Sequence, residues 1–160
     1  IEDVYNFNDG YAVEKFKNVT SNGVPGSDSS GDFIDTDFPV FRLADAYLMY
    51  AEAVKRSGTG DQGLAVQYVN LVRLRSNANP IGGYSEVTDE FLLAERSKEL
   101  HWEAHRRTDL IRFGQFSDQG VWPWKGNVES GTTTAAFRDL FPIPSTDITA
   151  NPNLTQNSGY

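Results

Sequence analysis

The feature that most constrains the fold is a pair of amphipathic helical patterns separated by a short glycine turn. The apolar positions of the first pattern are Leu43, Tyr47, Tyr50 and Val54. Those of the second are Ala65, Tyr68, Val69 and Val72. Spacings of three and four residues place each set on one face of a helix. Gly58-Thr59-Gly60 ends the first helix, and Asp61 is suited to cap the second. The sequence therefore predicts an antiparallel helical hairpin.

A third helical pattern carries charges along the stripe where the first two carry apolar residues. Thr88 is suited to cap its start, and we expect the helix to continue to about Arg106. The charged stripe has 3-4-3 spacing and consists of Arg96, Glu99, Glu103 and Arg106. Matching arginines on the first two helices include Arg42, Arg73 and Arg75. This spacing suggests ion pairs between helices, and the alternative for such a run taken alone is a solvated charged face.

Outside the helices the chain is rich in residues that favour turns. Residues 1–40 contain many Asn, Asp, Gly and Ser, which indicates an irregular, loop-rich segment. Residues 41–160 are predicted to form a helical region that ends in an extended tail. Phe141–Pro144 contains two prolines and is excluded from a helix interior or a central strand. The predicted fold is mainly α-helical, with helix hairpins and long irregular loops.

Charge and composition exclude several classes of function. The net charge of −8 argues against binding nucleic acid or an anionic membrane surface, both of which favour basic proteins. Because the chain has no cysteine, it has no disulfides, thiol nucleophile or Cys-ligated zinc. No apolar run approaches the ~18 residues of a membrane span. The chain begins at Ile1 in the manner of an internal segment, and we expect it to be a fragment or a processed product.

The charged stripe does not predict catalysis. Glu99 and Glu103 invite comparison with the two carboxylates of a glycosidase. Each, however, has an arginine three or four residues away, which lowers a carboxylate pKa and opposes a general-acid role. His101 and His105 have helical spacing for a zinc pair, but Glu103 lies two positions on and would point away from both. We therefore predict no catalytic residue and no metal ligand there.

Acidic residues in the first segment raise the question of calcium. The carboxylates are Asp28, Asp32, Asp35 and Asp37. Calcium takes six to eight oxygen ligands in a defined loop, and this spacing matches no EF-hand. An ordinary acidic turn is favoured, so no cofactor is predicted and calcium is kept as an alternative.

The order of the helical and proline-containing segments resembles a known family. The segments are Phe41–Ala53, Tyr68–Arg75, Leu93–Leu100, Glu103, Arg106, Asp109–Arg112, Phe141–Pro144 and Gln156–Tyr160. Their succession is similar to the C-terminal region of the SusD/RagB family and covers about residues 38–160. This resemblance implies tetratricopeptide-like helix pairs that support loop-rich regions.

The resemblance also implies a function without catalysis. Members of the family are outer-membrane lipoproteins of Bacteroidetes that capture glycans at the cell surface. They pass oligosaccharides to a TonB-dependent transporter of the SusC kind. The lipid anchor and much of the helical scaffold would belong to a missing N-terminal part of the same protein, which is therefore an expected partner. The alternative is that these residues are scaffold that contacts the transporter, with the sugar site elsewhere.

If the chain binds sugar, exposed aromatic rings and amides are the expected contacts, because rings stack on the apolar face of a sugar. Trp122 and Trp124 lie in a loop rich in Gly and Pro, with polar groups nearby at Lys125 and Asn127. The predicted carbohydrate-binding residues are Trp122, Trp124, Asn127 and Tyr11. The alternative for the two tryptophans is packing against the helices. Trp102, on the third helix, is expected in the core.

Overall fold

A computed structural model describes residues 3, 5–6, 8–11 and 13–160 of the chain. In this part, helices are the regular structure, and β pairing is limited to one isolated bridge between Val19 and Pro25. The helices are α1 (Leu43–Ser57), α2 (Gln62–Arg75), α3 (Asp89–Glu99), α4 (Arg106–Arg112) and α5 (Ser145–Ala150). Short 3₁₀ turns cover Tyr84–Glu86, Lys125–Asn127 and Ala136–Asp139. The prediction of a mainly α-helical fold is confirmed.

The helical hairpin is closed by the residues that the sequence indicates. Gly58 adopts a left-handed φ of 65°, and its N–H donates to the carbonyl of Val54 at 3.1 Å. The Asp61 carboxylate accepts from the N–H of Leu64 at 2.9 Å and caps α2. Because each helix end is capped within the turn, α1 reverses directly into α2.

The core lies between α1, α2 and α3. Its fully buried apolar side chains include Leu48, Ala51, Ala65, Val69 and Leu92. The predicted apolar face of α1 is partly wrong, because Leu43 is 65% exposed while Asp45 is buried. Asp45 forms an ion pair with Arg96 of α3 at 2.8 Å, so the side of α1 that faces α3 includes a carboxylate that the hydrophobic pattern does not indicate.

Helix α3 ends earlier than predicted. Thr88 caps its start, as expected, by accepting from the N–H of Phe91 at 3.1 Å. The helix stops at Glu99, and Trp102 and Ala104 then take positive φ angles of 60° and 62°. These angles are incompatible with a continuing right-handed helix. Trp102 is 62% exposed, so its expected place in the core is also wrong.

The chain divides into two compact units, Ile1–Arg106 and Arg107–Tyr160. The first contains the helical hairpin, α3 and the loop-rich segment. The separate boundary predicted at residue 40 stays a prediction. Among the described residues, no helix has both the length and the apolar character that crossing a membrane requires.

The second unit has little regular structure and is held by side chains bound to the backbone. The Gln156 amide pairs with both the N–H and the carbonyl of Ile143, at 2.8 and 2.9 Å. The Tyr160 hydroxyl donates to the carbonyl of Leu140 at 2.8 Å. These bonds satisfy backbone groups that lack helical partners and attach the C-terminal tail to the rest of the unit.

Candidate functional site

The charged stripe forms a network centred on Arg42. The Arg42 guanidinium donates two hydrogen bonds to the Glu103 carboxylate, both at 2.7 Å. Its Nη1 donates to Glu99 at 2.7 Å, and Arg75 reaches the other oxygen of Glu99 at 2.6 Å. The Glu103 side chain is only 1% exposed. The predicted ion pairs between helices are confirmed for Glu99.

Glu103 reaches the same network from a different position than the sequence suggests. It lies in the turn after α3 and not on a common helical stripe with Glu99. Arg106 is not among the ion pairs of this cluster; its Nη1 donates to the carbonyl of Leu93 at 3.1 Å. The prediction of one continuous stripe is therefore wrong, because α3 ends before two of its four members.

Lys15 is the member of the network that the sequence analysis missed. Its ammonium contacts the Glu103 carboxylate and donates to the carbonyls of His101 at 2.8 Å and Glu99 at 3.4 Å. Lys15 and Glu103 are 88 positions apart, so no local spacing could have indicated the pair. This contact attaches the loop-rich segment to the turn after α3.

The network keeps Glu103 ionised. Burial acts to raise the pKa of Glu103, but the hydrogen bonds from Arg42 and Lys15, with their positive charges, outweigh it and hold the pKa below 4.5. The hydrogen bonds to Glu103 in turn raise the pKa of Arg42 above its ordinary value. A carboxylate bound in this way lacks a proton to give at neutral pH, which opposes a general-acid role.

The predicted loop brings Trp122, Trp124 and Asn127 onto one short segment of the second unit. Trp122 is 36% exposed and its ring lies 6.2 Å from that of Phe116. Trp124 is half-buried with a left-handed φ of 67°, and the N–H of Asn127 donates to its carbonyl at 3.1 Å. Trp122 and Asn127 are both exposed to solvent.

Lys125 does not offer the free polar group that the sequence suggested. It is buried, and its ammonium donates to the carbonyls of Phe116 and Gly120 and, at 3.3 Å, to that of Ser117. The ammonium also lies 4.3 Å from the centre of the Trp122 ring. Because three carbonyls bind the charge, Lys125 stabilises the loop instead of presenting a cation to solvent.

Tyr11 belongs to the first unit. Its side chain is fully exposed and borders a cavity of about 590 Å³, which is also lined by Trp102. A smaller cavity of about 320 Å³ adjoins the charge network and is lined by Arg42, Glu99 and Glu103. The four predicted sugar-binding residues are thus distributed over two units, three on the loop and one beside the larger cavity.

The histidines and aspartates are placed as follows. His101 lies in the turn after α3, so the single helical register predicted for His101, Glu103 and His105 is wrong.

The Asp28 carboxylate accepts hydrogen bonds from the hydroxyl of Ser30 and from the backbone N–H of Phe33, and these bonds lower the pKa of Asp28 to about 2. Among the described residues, no group of three or more His, Cys, Asp or Glu side chains is arranged to hold a metal ion.

Comparisons with known proteins converge on one family. The SusD family matches residues 3–160. The starch-binding protein SusD of Bacteroides thetaiotaomicron is 40% identical over 155 residues, which are 96% of this chain and 27% of that protein. SusD-like protein P25 of Formosa agariphila is 35% identical, over 76% of this chain and 24% of its own length. The chain therefore spans about a quarter of the length of the curated relatives it matches.

Solved structures give the same result. Surface glycan-binding protein A from Bacteroides uniformis has a TM-score of 0.63 and 25% identity, over 78% of this chain and 28% of that one. A SusD superfamily protein from Parabacteroides distasonis has a TM-score of 0.57 and 29% identity, over 79% of this chain and 28% of the other. The sequence and the helical architecture thus point to the same set of relatives.

Proposed function

The chain belongs to the SusD family, and from this premise we propose that it is part of a protein that binds carbohydrate and performs no chemistry on it. The observation that carries the proposal is the 40% identity, along nearly the whole chain, to a protein named for binding starch. Binding by stacking and hydrogen bonding needs no cofactor. The ionised, arginine-bound state of Glu103 supports a function without acid catalysis.

The loop of Trp122, Trp124 and Asn127 is the first place proposed for sugar contact. An indole ring of 36% exposure can stack on the apolar face of a sugar while remaining anchored by its own neighbours. The buried ammonium of Lys125 holds the Trp122 ring, which reduces the entropy lost when a ligand binds. The Asn127 amide can donate to and accept from sugar hydroxyls. Tyr11 offers a second ring in the first unit.

The cellular role concerns the whole protein, of which this chain is a part. We propose that the whole protein is anchored by lipid in the outer membrane, on a part outside these residues, and faces the cell exterior. It would capture oligosaccharides or polysaccharides there and pass them to a TonB-dependent transporter of the SusC kind. Support for this role comes from family membership.

A second candidate function is that of a helical scaffold that contacts the transporter or the rest of the same protein. The observation that favours it is an apolar groove of about 380 Å³ between α1 and α2. Leu43 and Leu71, which line the groove, are 65% and 44% exposed. Exposed apolar side chains that lie together are typical of a surface that another protein segment covers.

Calorimetry with soluble starch and a panel of other polysaccharides tests the carbohydrate proposal. We expect at least one polysaccharide to bind, and Trp122→Ala and Trp124→Ala each to weaken that binding by about tenfold, since each removes a stacking surface. Trp122→Phe retains a ring and should lose less. Unchanged binding in both alanine variants would show that this loop does not contact the sugar. Sugar hydrolysis that Glu103→Gln abolishes would overturn the non-catalytic function.

A further inference from the structure

The larger cavity of the first unit has two walls that are distant in sequence. Residues 8–11, Val13 and Lys15 form one wall, and Trp102 of the turn after α3 forms the other. The volume of about 590 Å³ lies within the range of roughly 300–1,000 Å³ found for small-molecule sites. The rings of Tyr11 and Trp102 are both solvent-exposed beside it.

Trp102 is held in a conformation that its own packing does not explain. Its φ of 60° lies in the left-handed region, which is strained for a bulky residue. The ring is 62% exposed, so little hydrophobic burial offsets this strain within the chain. Residues held in strained backbone conformations cluster at active sites and ligand clamps.

Lys15 holds the two walls together. Its ammonium binds the carbonyl of His101, directly before Trp102, and the carboxylate of Glu103, directly after it. The carboxylate is itself fixed by Arg42. The residues on both sides of Trp102 are therefore anchored, His101 by its carbonyl and Glu103 by its carboxylate, which limits the freedom that the turn would lose when a ligand binds.

The charges around the cavity favour a neutral ligand over an anionic one. Among the described residues that line it, Lys15 is the only cationic side chain, and its ammonium is already bound to Glu103 and two carbonyls. Asp9 adds a negative charge to the same wall. An anionic ligand would meet no available cation, whereas hydroxyl groups can bond to Asp9 and to the amide of Asn8.

From these observations we propose that the cavity is a subsite for neutral carbohydrate, with Trp102 and Tyr11 as its stacking surfaces. The inference rests on the proposed carbohydrate-binding function and assigns Trp102 a direct contact with the sugar. The Trp122 loop of the second unit would then be a separate contact and not the only one.

The test is calorimetry with a neutral polysaccharide that the protein binds, soluble starch being the first probe. We expect Trp102→Ala and Tyr11→Ala each to weaken binding by about tenfold, because each removes a ring that stacks on the sugar. Trp102→Phe should recover part of the loss. Phe33→Ala is the matched control, because Phe33 is 74% exposed and lies outside the lining of this cavity. Thermal unfolding of each variant verifies that it is folded.

The outcomes separate this inference from the function on which it rests. Binding of a neutral polysaccharide that survives unchanged in folded Trp102→Ala and Tyr11→Ala would overturn the subsite and leave the proposed function intact. Equal losses in those variants and in Phe33→Ala would also overturn it, because the effect would not be local. Absence of binding to every polysaccharide in the panel would overturn the proposed function and the subsite together.

Discussion

At the scale of single residues, Glu103 illustrates how a buried carboxylate is kept charged. Its side chain is 1% exposed, and burial alone would favour the protonated form. Two hydrogen bonds from Arg42 and a contact with Lys15 reverse that preference and place the pKa below 4.5. In the unfolded chain these contacts are lost, so the carboxylate takes up a proton at a higher pH than in the folded protein.

This difference predicts a stability that depends on pH. The pKa of Glu103 is lower in the folded protein than in the unfolded chain. Its contribution to the free energy of unfolding is therefore fully present above the unfolded-state pKa, and it is lost as the pH falls through the folded-state pKa. We expect Glu103→Gln to lower the free energy of unfolding by about 3 kcal/mol at pH 7. The difference from the unmodified protein should shrink as the pH is lowered below about 4.5.

Urea unfolding at a series of pH values measures this effect. Glu14→Gln is the control, because the side chain of Glu14 is 71% exposed and its ion pair with Lys17 is solvated. We expect the control to change the free energy of unfolding little at any pH. A Glu103→Gln difference that stays constant from neutral to acid pH would contradict the proposed coupling between Glu103 and its two cations.

At the scale of secondary-structure elements, the turn between α1 and α2 depends on glycine at one position. Gly58 has a φ of 65°, and no neighbouring atom lies within 4 Å of where a Cβ would be placed. The barrier to a side chain there is therefore conformational and not steric crowding by neighbours. Gly83 has the same open surroundings but an extended φ of −176°, which any residue adopts.

Gly58 and Gly83 differ in backbone conformation but not in free space, so the same substitution at each position gives a controlled comparison. Gly58→Ala should lower the free energy of unfolding by about 1 kcal/mol, because alanine is disfavoured in the left-handed region. Gly83→Ala should be neutral, or stabilising by up to about 1 kcal/mol, because it restricts the unfolded chain. Denaturant unfolding of both variants measures the difference. Equal effects of the two substitutions would contradict the assignment of the α1–α2 turn to the left-handed conformation of Gly58.

At the scale of the whole molecule, these 160 residues carry a net charge of −8, which acts on any charged ligand that approaches them. Two cations beside the candidate contacts, Lys15 and Lys125, are bound to protein oxygens. A polyanion therefore meets net repulsion, while a neutral polysaccharide does not. We therefore expect charge to distinguish neutral from anionic polysaccharides, even where an aromatic ring could stack on both.

We expect this protein to bind a neutral polysaccharide more tightly than polygalacturonate at low salt. The binding of the neutral polymer should change little between roughly 20 and 300 mM NaCl, because stacking and neutral hydrogen bonds are not screened. Affinity electrophoresis or calorimetry at the two salt concentrations measures both. Tight binding of polygalacturonate that weakens steeply with salt would contradict this prediction.

The sequence by itself determined the elements whose causes are local. The caps at Gly58, Asp61 and Thr88 and the α1–α2 hairpin follow from residues within a few positions of one another. The same holds for the loop that contains Trp122 and Trp124, whose glycines and Pro123 disfavour a long helix or strand. Local patterns suffice here because hydrogen bonds within a helix turn join residues three or four apart.

The tertiary structure alone decided where the charges and rings are placed. Glu103 bonds to Arg42 across 61 residues and to Lys15 across 88, and these contacts lie at the turn where α3 has ended and Trp102 faces solvent. Lys125 is buried because its loop folds three carbonyls around the ammonium. Desolvation and long-range ion pairing depend on which distant segments meet, and spacing along the chain does not contain that information.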